Sequence, residues 1–221
     1  MNGQELYDLT TELMDGVELG ESVWESLINL ARRKRELRRD WQILKKKSTA
    51  FSVTPSTTST TSFTLPSDCS RPVKNTVKTH PIVLLNSGNK KIGTADEILL
   101  EHQFDYIDTP GKFYVDYAAH TFYFTGNPPV GEAASAYLFY LRDSGDIEVD
   151  TGSYWTPFSG TNGGPDFSAL LAYDVAIMQK GDIDYDEVNA RMVQFSGVSA
   201  QSLETSMIMW DERIKLSALG V

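Results

Sequence analysis

Residues 48–68, STAFSVTPSTTSTTSFTLPSD, decide how the first half of this chain folds. Twelve of the first 17 residues in this stretch are Ser or Thr, a composition that is also typical of low-complexity linkers. Its apolar residues nevertheless alternate: Phe51 and Val53 precede the Pro-Ser pair, and Phe63 and Leu65 follow later. Threonine favours extended backbone and Pro-Ser favours a turn, so the pattern predicts a β-hairpin rather than a linker.

Two helices are predicted before this stretch. Gln4–Val17 places its leucines at helical spacing, and Glu21–Lys47 carries an apolar stripe with basic residues between its members. Acids at the start of the second helix and lysines at its end suit the helix dipole. The N-terminal part of the chain is therefore expected to be helical.

Short strands and one brief helix are predicted after the hairpin. The strands are Val73–Lys78 and Ile82–Leu85, and the helix is Thr94–Gln103 behind a capping threonine. Phe113–Tyr117 and Thr121–Thr125 flank a turn and predict a second pair of strands.

The last third of the chain changes from strand to helix. Ser135–Leu141 has apolar residues on both faces, which predicts a central strand. Helical spacing begins at Asp166 and continues in a long helix, Asp184–Leu219, which Gly197 bends or divides. The polar, Gly-rich segment 144–165 between them has no predicted role.

This order of elements predicts the fold class and the domains. Segregated helices and strands favour an α+β fold, a helical bundle built from the N- and C-terminal helices with an inserted β-rich lobe. The expected domains are a helical bundle of residues 1–48 and 166–221, a β-rich lobe of residues 49–142, and a loop segment of residues 143–165.

The charge is distributed unevenly along the chain. The 221 residues contain 30 acidic and 20 basic side chains, a net charge of −10, yet residues 32–47 hold nine basic and two acidic residues. A basic element on an acidic body is typical of a docking surface, whose partner is either nucleic acid or an acidic surface on another subunit. The strongly acidic remainder disfavours a general nucleic-acid binder. A solvated helix face is the simpler alternative.

No catalytic or metal-binding constellation is visible in the sequence. Cys69 is the single cysteine, so the chain can form no internal disulfide, which fits a reducing compartment. No cysteine-protease signature surrounds it. Residues 182–187 supply carboxylates at positions 1, 3 and 5 of a calcium loop but lack its glycine and its final glutamate. No apolar run approaches the roughly 20 residues of a membrane span. We expect no catalytic residue, no metal, no cofactor and no membrane partner.

The order of the pieces resembles that of tailed-phage head-to-tail adaptor proteins, also called head–tail connector or neck proteins. The resemblance covers most of the chain, and its most distinctive piece is the closure of the Ser/Thr-rich stretch at Leu65-Pro66-Ser67-Asp68, where phenylalanine and threonine precede the leucine. The other pieces are Trp41–Leu44, Arg71-Pro72-Val73, Phe113–Asp116, Thr121–Phe124, Asn127-Pro128-Pro129, the Tyr137–Tyr140 strand and a C-terminal helical pair.

The resemblance implies a structural virion protein and not an enzyme. Members of the family form a closed ring, commonly a dodecamer, below the portal protein. The ring extends the DNA channel and presents a docking platform to the next neck or tail protein. The resemblance further implies that genomic DNA passes through the ring without sequence-specific binding. It places the protein in the host cytoplasm before assembly and at the head–tail junction of the virion afterwards.

The resemblance also implies which residues lie at the subunit or portal interface. The basic helix of one copy would meet the acidic body of its neighbour. The C-terminal helix would face the portal through a Met/Trp surface, although plain core packing explains the same stripe. The candidate interface residues are Arg32, Arg33, Arg35, Arg38, Arg39, Met207, Trp210 and Ile214.

Two alternatives come from other classes of protein. A nucleic-acid-binding protein would use the basic helix 32–47 and show salt-dependent DNA affinity. A carbohydrate- or receptor-binding virion accessory protein would use the aromatic strands together with Tyr154 and Trp155.

Overall fold

The computed structural model divides into two compact units. Residues 1–43 and 144–221 form the first, here called the helical unit, and residues 44–143 form the second, the sheet unit. The residues that the structure describes are 1–57, 61–76, 79–150, 152, 156, 158–160, 165–180 and 185–218.

The described residues of the helical unit form five helices, and four of them pack around the fifth. Ala169–Lys180 (α3) is almost entirely buried along its first two turns and packs against each of the other four helices. No helix in the described part of the chain is long and apolar enough to cross a membrane. The other four are Gly3–Leu13 (α1), Glu21–Leu37 (α2), Tyr185–Ser196 (α4) and Ala200–Ala218 (α5).

The ends of the helices follow from local chemistry. Asn2 and Glu5 form a reciprocal capping box at the start of α1, and the chain leaves that helix with positive φ angles at Asp15 (66°) and Gly16 (77°). Gly197, with φ 74°, separates α4 from α5, so the long helix predicted over Asp184–Leu219 is divided. Residues 181–184 and 219–221 of that prediction lie outside the described residues.

The second predicted helix is ten residues too long. Its helical backbone stops at Leu37, Trp41 turns back to donate a hydrogen bond to the Arg35 carbonyl at 3.0 Å, and Lys45–Lys47 is a strand. The apolar stripe continued past Leu37 because Trp41 and Leu44 are buried in a non-helical segment. Tertiary packing therefore overrides the helical period here.

The sheet unit is one nine-stranded mixed sheet arranged around its longest strand. β1 and β4 pair with Tyr140 and Leu141 of that strand from opposite edges, while β2 and β5 pair with Ala136 from opposite edges. The strands are Lys45–Lys47 (β1), Phe51–Val53 (β2), Ser62–Thr64 (β3), Cys69–Pro72 (β4), Ile82–Leu85 (β5), Lys91–Ile98 (β6), Lys112–Asp116 (β7), Thr121–Phe124 (β8) and Ala134–Arg142 (β9).

The sheet curls so that its two ends approach each other. β2 pairs with β9 near one end and β3 pairs with β8 at the other, yet the rings of Phe51 and Phe63 lie 5.8 Å apart. Both rings also contact Phe122, at 5.3 and 5.2 Å. The result is an open half-barrel filled by the alternate residues of its strands. Its fully buried core includes Ile82, Leu84, Ala95, Phe113, Phe122, Phe124 and Leu138.

The predicted fold class is wrong. The structure is not a helical bundle with an inserted β-rich lobe: nine strands between Lys45 and Arg142 form one curled mixed sheet with its own core, and five helices precede and follow it in sequence. The sequence predicted pairing between strands that are neighbours in the chain, because periodicity reflects only residues that are close in sequence. The strands instead join through β9, which pairs with residues far away in the chain: Lys45 of β1 lies opposite Leu141, 96 residues later.

Three local predictions are also wrong for the same reason. β2 and β3 do not pair as a hairpin, since β2 joins β9 and β3 joins β8. The predicted helix Thr94–Gln103 is the end of β6, which pairs parallel with β7, followed by a single 3-10 turn. The described residues of Val73–Lys78 form no strand, because the strand lies earlier, in β4. The predicted strands over Ile82–Leu85, Phe113–Tyr117, Thr121–Thr125 and Ser135–Leu141 are confirmed.

Candidate functional site

The five candidate arginines do not form one exposed basic surface. Arg32 and Arg35 are buried, with 0% and 4% of their side chains exposed, whereas Arg33 and Arg38 are 58% and 56% exposed. Arg39 lies between these extremes at 28%. Helix α2 therefore presents part of its charge to the interior of the helical unit.

Arg32 is hydrogen-bonded both to its own helix and to the segment that begins at Ser144. Its guanidinium donates to the Glu36 carboxylate at 3.1 Å, to the Ser144 hydroxyl at 2.7 Å and to Asp146 at 3.0 Å. Arg33 donates to the same Asp146 oxygen at 3.0 Å from the exposed side. These contacts join α2 to the start of the 144–150 segment.

Arg35 joins α2 to two further helices. Its Nε and Nη2 both donate hydrogen bonds to the Asp174 carboxylate of α3, and Nη2 lies 2.7 Å from Oδ1. Its Nη1 lies 3.5 Å from Glu204 of α5, and Arg38 donates to the same Glu204 carboxylate at 2.9 Å. A bidentate arginine–carboxylate pair fixes geometry as well as charge. The basic helix is thus matched to a large extent by acids of its own unit.

Asp211 of α5 is a buried carboxylate at the end of the basic stretch. It is fully buried, accepts a hydrogen bond from the backbone N–H of Gln42 at 2.7 Å, and lies 3.4 Å from Arg39. Burial raises the pKa of Asp211 even though that N–H and the Arg39 charge act in the opposite direction. Arg39 also donates to the neighbouring Glu212.

The three candidate residues of α5 are largely covered. Met207 is 2% exposed, the Trp210 ring lies 6.2 Å from that of Phe167, and Ile214 is half-buried. They lie on one face of α5 together with Leu203. The structure thus pairs Arg35, Arg38 and Arg39 with acids of α5, while Arg32 and Arg33 pair with Glu36 and Asp146 instead. The role of these residues in a subunit or portal interface stays a prediction.

Sequence reasoning missed the exposed apolar face of α2. Val23, Leu30 and Leu37 are 51%, 44% and 56% exposed and lie seven residues apart, so they share one side of the helix. Arg33 and the exposed Lys34 lie beside them. We call these five residues the outer α2 face. Its seven-residue spacing was visible in the sequence as part of the apolar stripe of Glu21–Lys47, which did not distinguish buried from exposed members.

A second exposed apolar surface lies in the sheet unit between β6 and β7. Five large apolar side chains of residues 99–107 and the nearby Tyr117 leave 38% to 74% of their surface exposed, and Phe104 is the most exposed. A shallow cavity of about 420 Å³ lies under this loop against Val115 and Tyr117. We call it the apolar loop; its exposed members are Leu99, Leu100, Phe104, Tyr106, Ile107 and Tyr117. Contiguous exposed apolar side chains usually mark interaction sites.

The surroundings of Cys69 disfavour a reactive thiolate. Burial, with the nearby carboxylates of Asp68 and Glu97, raises the pKa of Cys69 to about 12, which keeps the thiol protonated at neutral pH. Among the described residues no three His, Cys, Asp or Glu side chains come together to hold a metal ion. Asp182 and Asp184 of the calcium-like run lie outside the described residues.

The aromatic strands are mainly core. Phe113, Phe122 and Phe124 have no exposed surface, while Tyr114 and Tyr123 stack on each other at 5.2 Å on the other face of the sheet. A platform for stacked bases or sugars needs exposed rings in a row. Tyr154 and Trp155, the other aromatics considered for carbohydrate binding, lie outside the described residues.

The family described as SU10 adaptor protein matches residues 1–206 of this chain, which cover the whole sheet unit and most of the helical unit. No curated protein matches the chain.

Proposed function

This chain belongs to the SU10 adaptor protein family, a family of phage head-to-tail adaptors, and from that premise we propose that it forms a ring below the portal protein. The proposed ring extends the DNA channel and is a docking platform for the next neck or tail protein. We propose a dodecamer, built after synthesis in the host cytoplasm and retained at the head–tail junction of the virion.

The family match over residues 1–206 is the observation that carries this proposal. Adaptor families are structural and not catalytic, which agrees with a chain whose single thiol is protonated at neutral pH. The adaptor role follows from the family match, and the ring, the portal contact and the DNA channel are what we propose in addition.

Two exposed apolar surfaces support a protein with several partners. The outer α2 face belongs to the helical unit, and the apolar loop belongs to the sheet unit. A protein that worked as an isolated monomer would gain nothing from exposing Phe104 and Leu37 to water. In an adaptor, each subunit contacts its two neighbours in the ring and a protein on either side of it.

The charge of the chain supports passage of DNA without retention. The net charge is −10, and the arginines of the basic stretch are engaged with carboxylates such as Glu36, Asp174 and Glu204. A channel lined by such a surface would repel the phosphate backbone rather than bind it.

The same ion pairs weaken the nucleic-acid-binding alternative. That alternative needs the basic helix 32–47 to be free for phosphate, yet Arg32 and Arg35 are buried against acids of the same unit. A DNA-binding assay across a salt series separates the two functions, because a phosphate binder loses affinity steeply with salt. We expect no measurable binding at physiological salt.

The test is a count of copies per particle. Quantitative peptide mass spectrometry on purified phage particles, calibrated against a portal peptide, is expected to give about a dozen copies of this chain. Hundreds of copies would indicate a capsid or tail-tube protein instead. Complete absence from the particle would overturn the proposed function.

A further inference from the structure

The side of α2 that points away from α3 is apolar at its centre. At about 100° per residue, Leu30 and Leu37 lie roughly opposite Ile28 and Arg35, which face the interior. The outward side of a surface helix is normally its polar side. An apolar row at this position, 44% to 56% exposed, indicates a surface that is covered when the protein functions.

The outer α2 face also carries positive charge. Lys34 is exposed and pairs with no carboxylate among the described residues, whereas Arg33 is already paired with Asp146 at 3.0 Å. The acids of α2 lie elsewhere around the helix: Glu36 is buried beside Arg32, and Glu21 and Glu25 lie on other sides. A partner for this face therefore has to supply apolar contacts together with an acidic group near Lys34.

The helical unit itself presents such a surface on α4. Asp186, Glu187, Ala190 and Val193 are exposed on the side of α4 that faces away from the buried Val188 and Met192, and Val193 is 41% exposed. Asp15, from the end of α1, extends this surface, because Arg191 bridges Asp15 and Glu187 at 2.7 and 2.9 Å. We call Asp15, Asp186, Glu187, Ala190 and Val193 the acidic α4 face.

The two faces lie on different sides of the central helix. On α3, Asp174 contacts α2 through Arg35, and Met178 lies 3.8 Å from the Lys34 Nζ at the edge of the outer α2 face. Tyr173 and Lys180 of α3 instead contact α4: the Tyr173 and Tyr185 rings are 6.2 Å apart, and Lys180 lies 3.8 Å from Glu187. One copy cannot bring its own outer α2 face onto its own acidic α4 face.

We propose that the outer α2 face of one copy packs on the acidic α4 face of the next copy. The contact joins two different surfaces, so it repeats head to tail, which is the kind of contact that a closed ring requires. Leu30 and Leu37 pack near Val193 and Ala190, and Lys34 meets Asp186, since Arg33 and Glu187 already have partners in their own unit. The inference rests on the proposed function, which it deepens by naming the contact between subunits.

Cross-linking inside particles tests the contact directly. In a Cys69→Ser background, the double variant Leu30→Cys/Val193→Cys is incorporated into phage and treated with a flexible bis-maleimide. Each copy then carries one cysteine on each face, so the expected product is a ladder of dimers and higher covalent multimers on a denaturing gel.

Matched variants identify the contact. Leu30→Cys alone and Val193→Cys alone have one reactive face and are expected to give no ladder. Leu100→Cys/Val193→Cys places the first cysteine on the apolar loop at a similar exposure of 43%, and it is also expected to give no ladder. Charge exchange adds a functional readout: Lys34→Glu is expected to reduce the copies per particle, and Asp186→Lys in the same chain to restore them.

The outcomes separate this inference from the proposed function. If particles contain about a dozen copies but Leu30→Cys/Val193→Cys gives no ladder, the subunit contact proposed here is wrong and the adaptor function stands. A cross-link from Leu30→Cys to a different particle protein would likewise overturn it, assigning the face to the portal or the neck. If unmodified particles lack the chain, the proposed function itself fails.

Discussion

The helical unit and the sheet unit differ in what they bury beside their aliphatic side chains. The helical unit buries charge: Arg32, Arg35 and Asp211 lie at or near zero exposure and are engaged in ion pairs and hydrogen bonds. The sheet unit buries aromatic rings, with Phe122 at the centre and four other phenylalanine rings within about 6 Å of it.

The difference shows how each unit obtains a defined geometry. Aromatic packing contributes mainly by area and shape, whereas buried ion pairs add little net stability but penalise every arrangement that leaves a charge unpaired. The arginine network therefore fixes how α2, α3 and α5 are positioned. Four predictions test this contrast, from the largest expected effect to the smallest.

Phe122→Ala is expected to have the largest effect, a loss of about 3–5 kcal/mol in the free energy of unfolding of the sheet unit. The reason is that truncation leaves a cavity among the rings of Phe51, Phe63, Phe113 and Phe124. Peptide-resolved hydrogen exchange measures it, and peptides of β5 to β9 should lose protection before those of α3.

Tyr123→Ala is the matched control on the same strand. Tyr123 lies on the other face of β8 and stacks only on Tyr114, so its loss should cost about 0.5–1.5 kcal/mol. Equal effects of the two variants, or equal loss of protection in α3, would show that the aromatic cluster is not a separate core of the sheet unit.

Arg35→Ala is expected to destabilise the helical unit by about 3 kcal/mol, because it leaves the half-buried Asp174 without its bidentate partner. Denaturant unfolding followed by tryptophan fluorescence measures this, since Trp24, Trp41 and Trp210 belong to the helical unit. Arg33→Ala, which removes a more than half-exposed pair with Asp146, should cost about 0–1 kcal/mol. A double variant Arg35→Ala/Asp174→Ala that is no more stable than Arg35→Ala would contradict the proposed cause.

Acid should destabilise the sheet unit through Asp96. Burial acts to raise the pKa of this carboxyl, but hydrogen bonds from His80 at 2.8 Å and Lys112 at 3.3 Å outweigh it and lower the pKa below its usual value. A lowered pKa contributes stability that is present above the usual Asp pKa of roughly 3.9 and is lost as pH falls through the folded-state value.

Asp96→Asn removes that contribution, so its melting temperature should fall less steeply than that of the unmodified protein as pH drops below roughly 4. Thermal unfolding followed by circular dichroism from pH 6 to pH 2.5 compares the two. Parallel curves for the two proteins would exclude Asp96 as a source of acid sensitivity.

Leu37→Ser should have the smallest effect on folding, within about 0.5 kcal/mol, since 56% of the Leu37 surface is already exposed. The same substitution should lower the copies per particle, because it removes an apolar contact of the outer α2 face. Ile28→Ser, on the buried side of the same helix, is the contrasting variant and should destabilise folding strongly. A large loss of stability in Leu37→Ser would mean that Leu37 belongs to the core.

Much of the local structure could be predicted from the sequence, as could the family. Alternation identified β7, β8 and β9, helical spacing identified α1 and α3, and Gly197 marked the division between α4 and α5. The resemblance to head-to-tail adaptors is confirmed by the family match. The fold class could not be predicted, because the pairing of β2 and β3 with distant strands leaves no trace in local periodicity.

The candidate site shows the same limit. The basic stretch was visible in the sequence, and Glu36 lies only four residues from Arg32. The other carboxylate partners are distant in the chain: 114 residues away for Arg32, 139 for Arg35 and 173 for Arg39. Charge alone could not distinguish a cation aimed at solvent from one buried against its own unit. The exposed row Val23, Leu30 and Leu37 was equally ambiguous, since a seven-residue period suits both a core face and an interface.

The sequence by itself indicated many of the strands and helices and the family to which the chain belongs, because side-chain spacing, turn residues and caps act between near neighbours. The tertiary structure decided which strands pair, which arginines are buried and which apolar row stays exposed. Those outcomes depend on groups far apart in the chain, and only packing brings them within the few ångströms at which hydrogen bonds and ion pairs act.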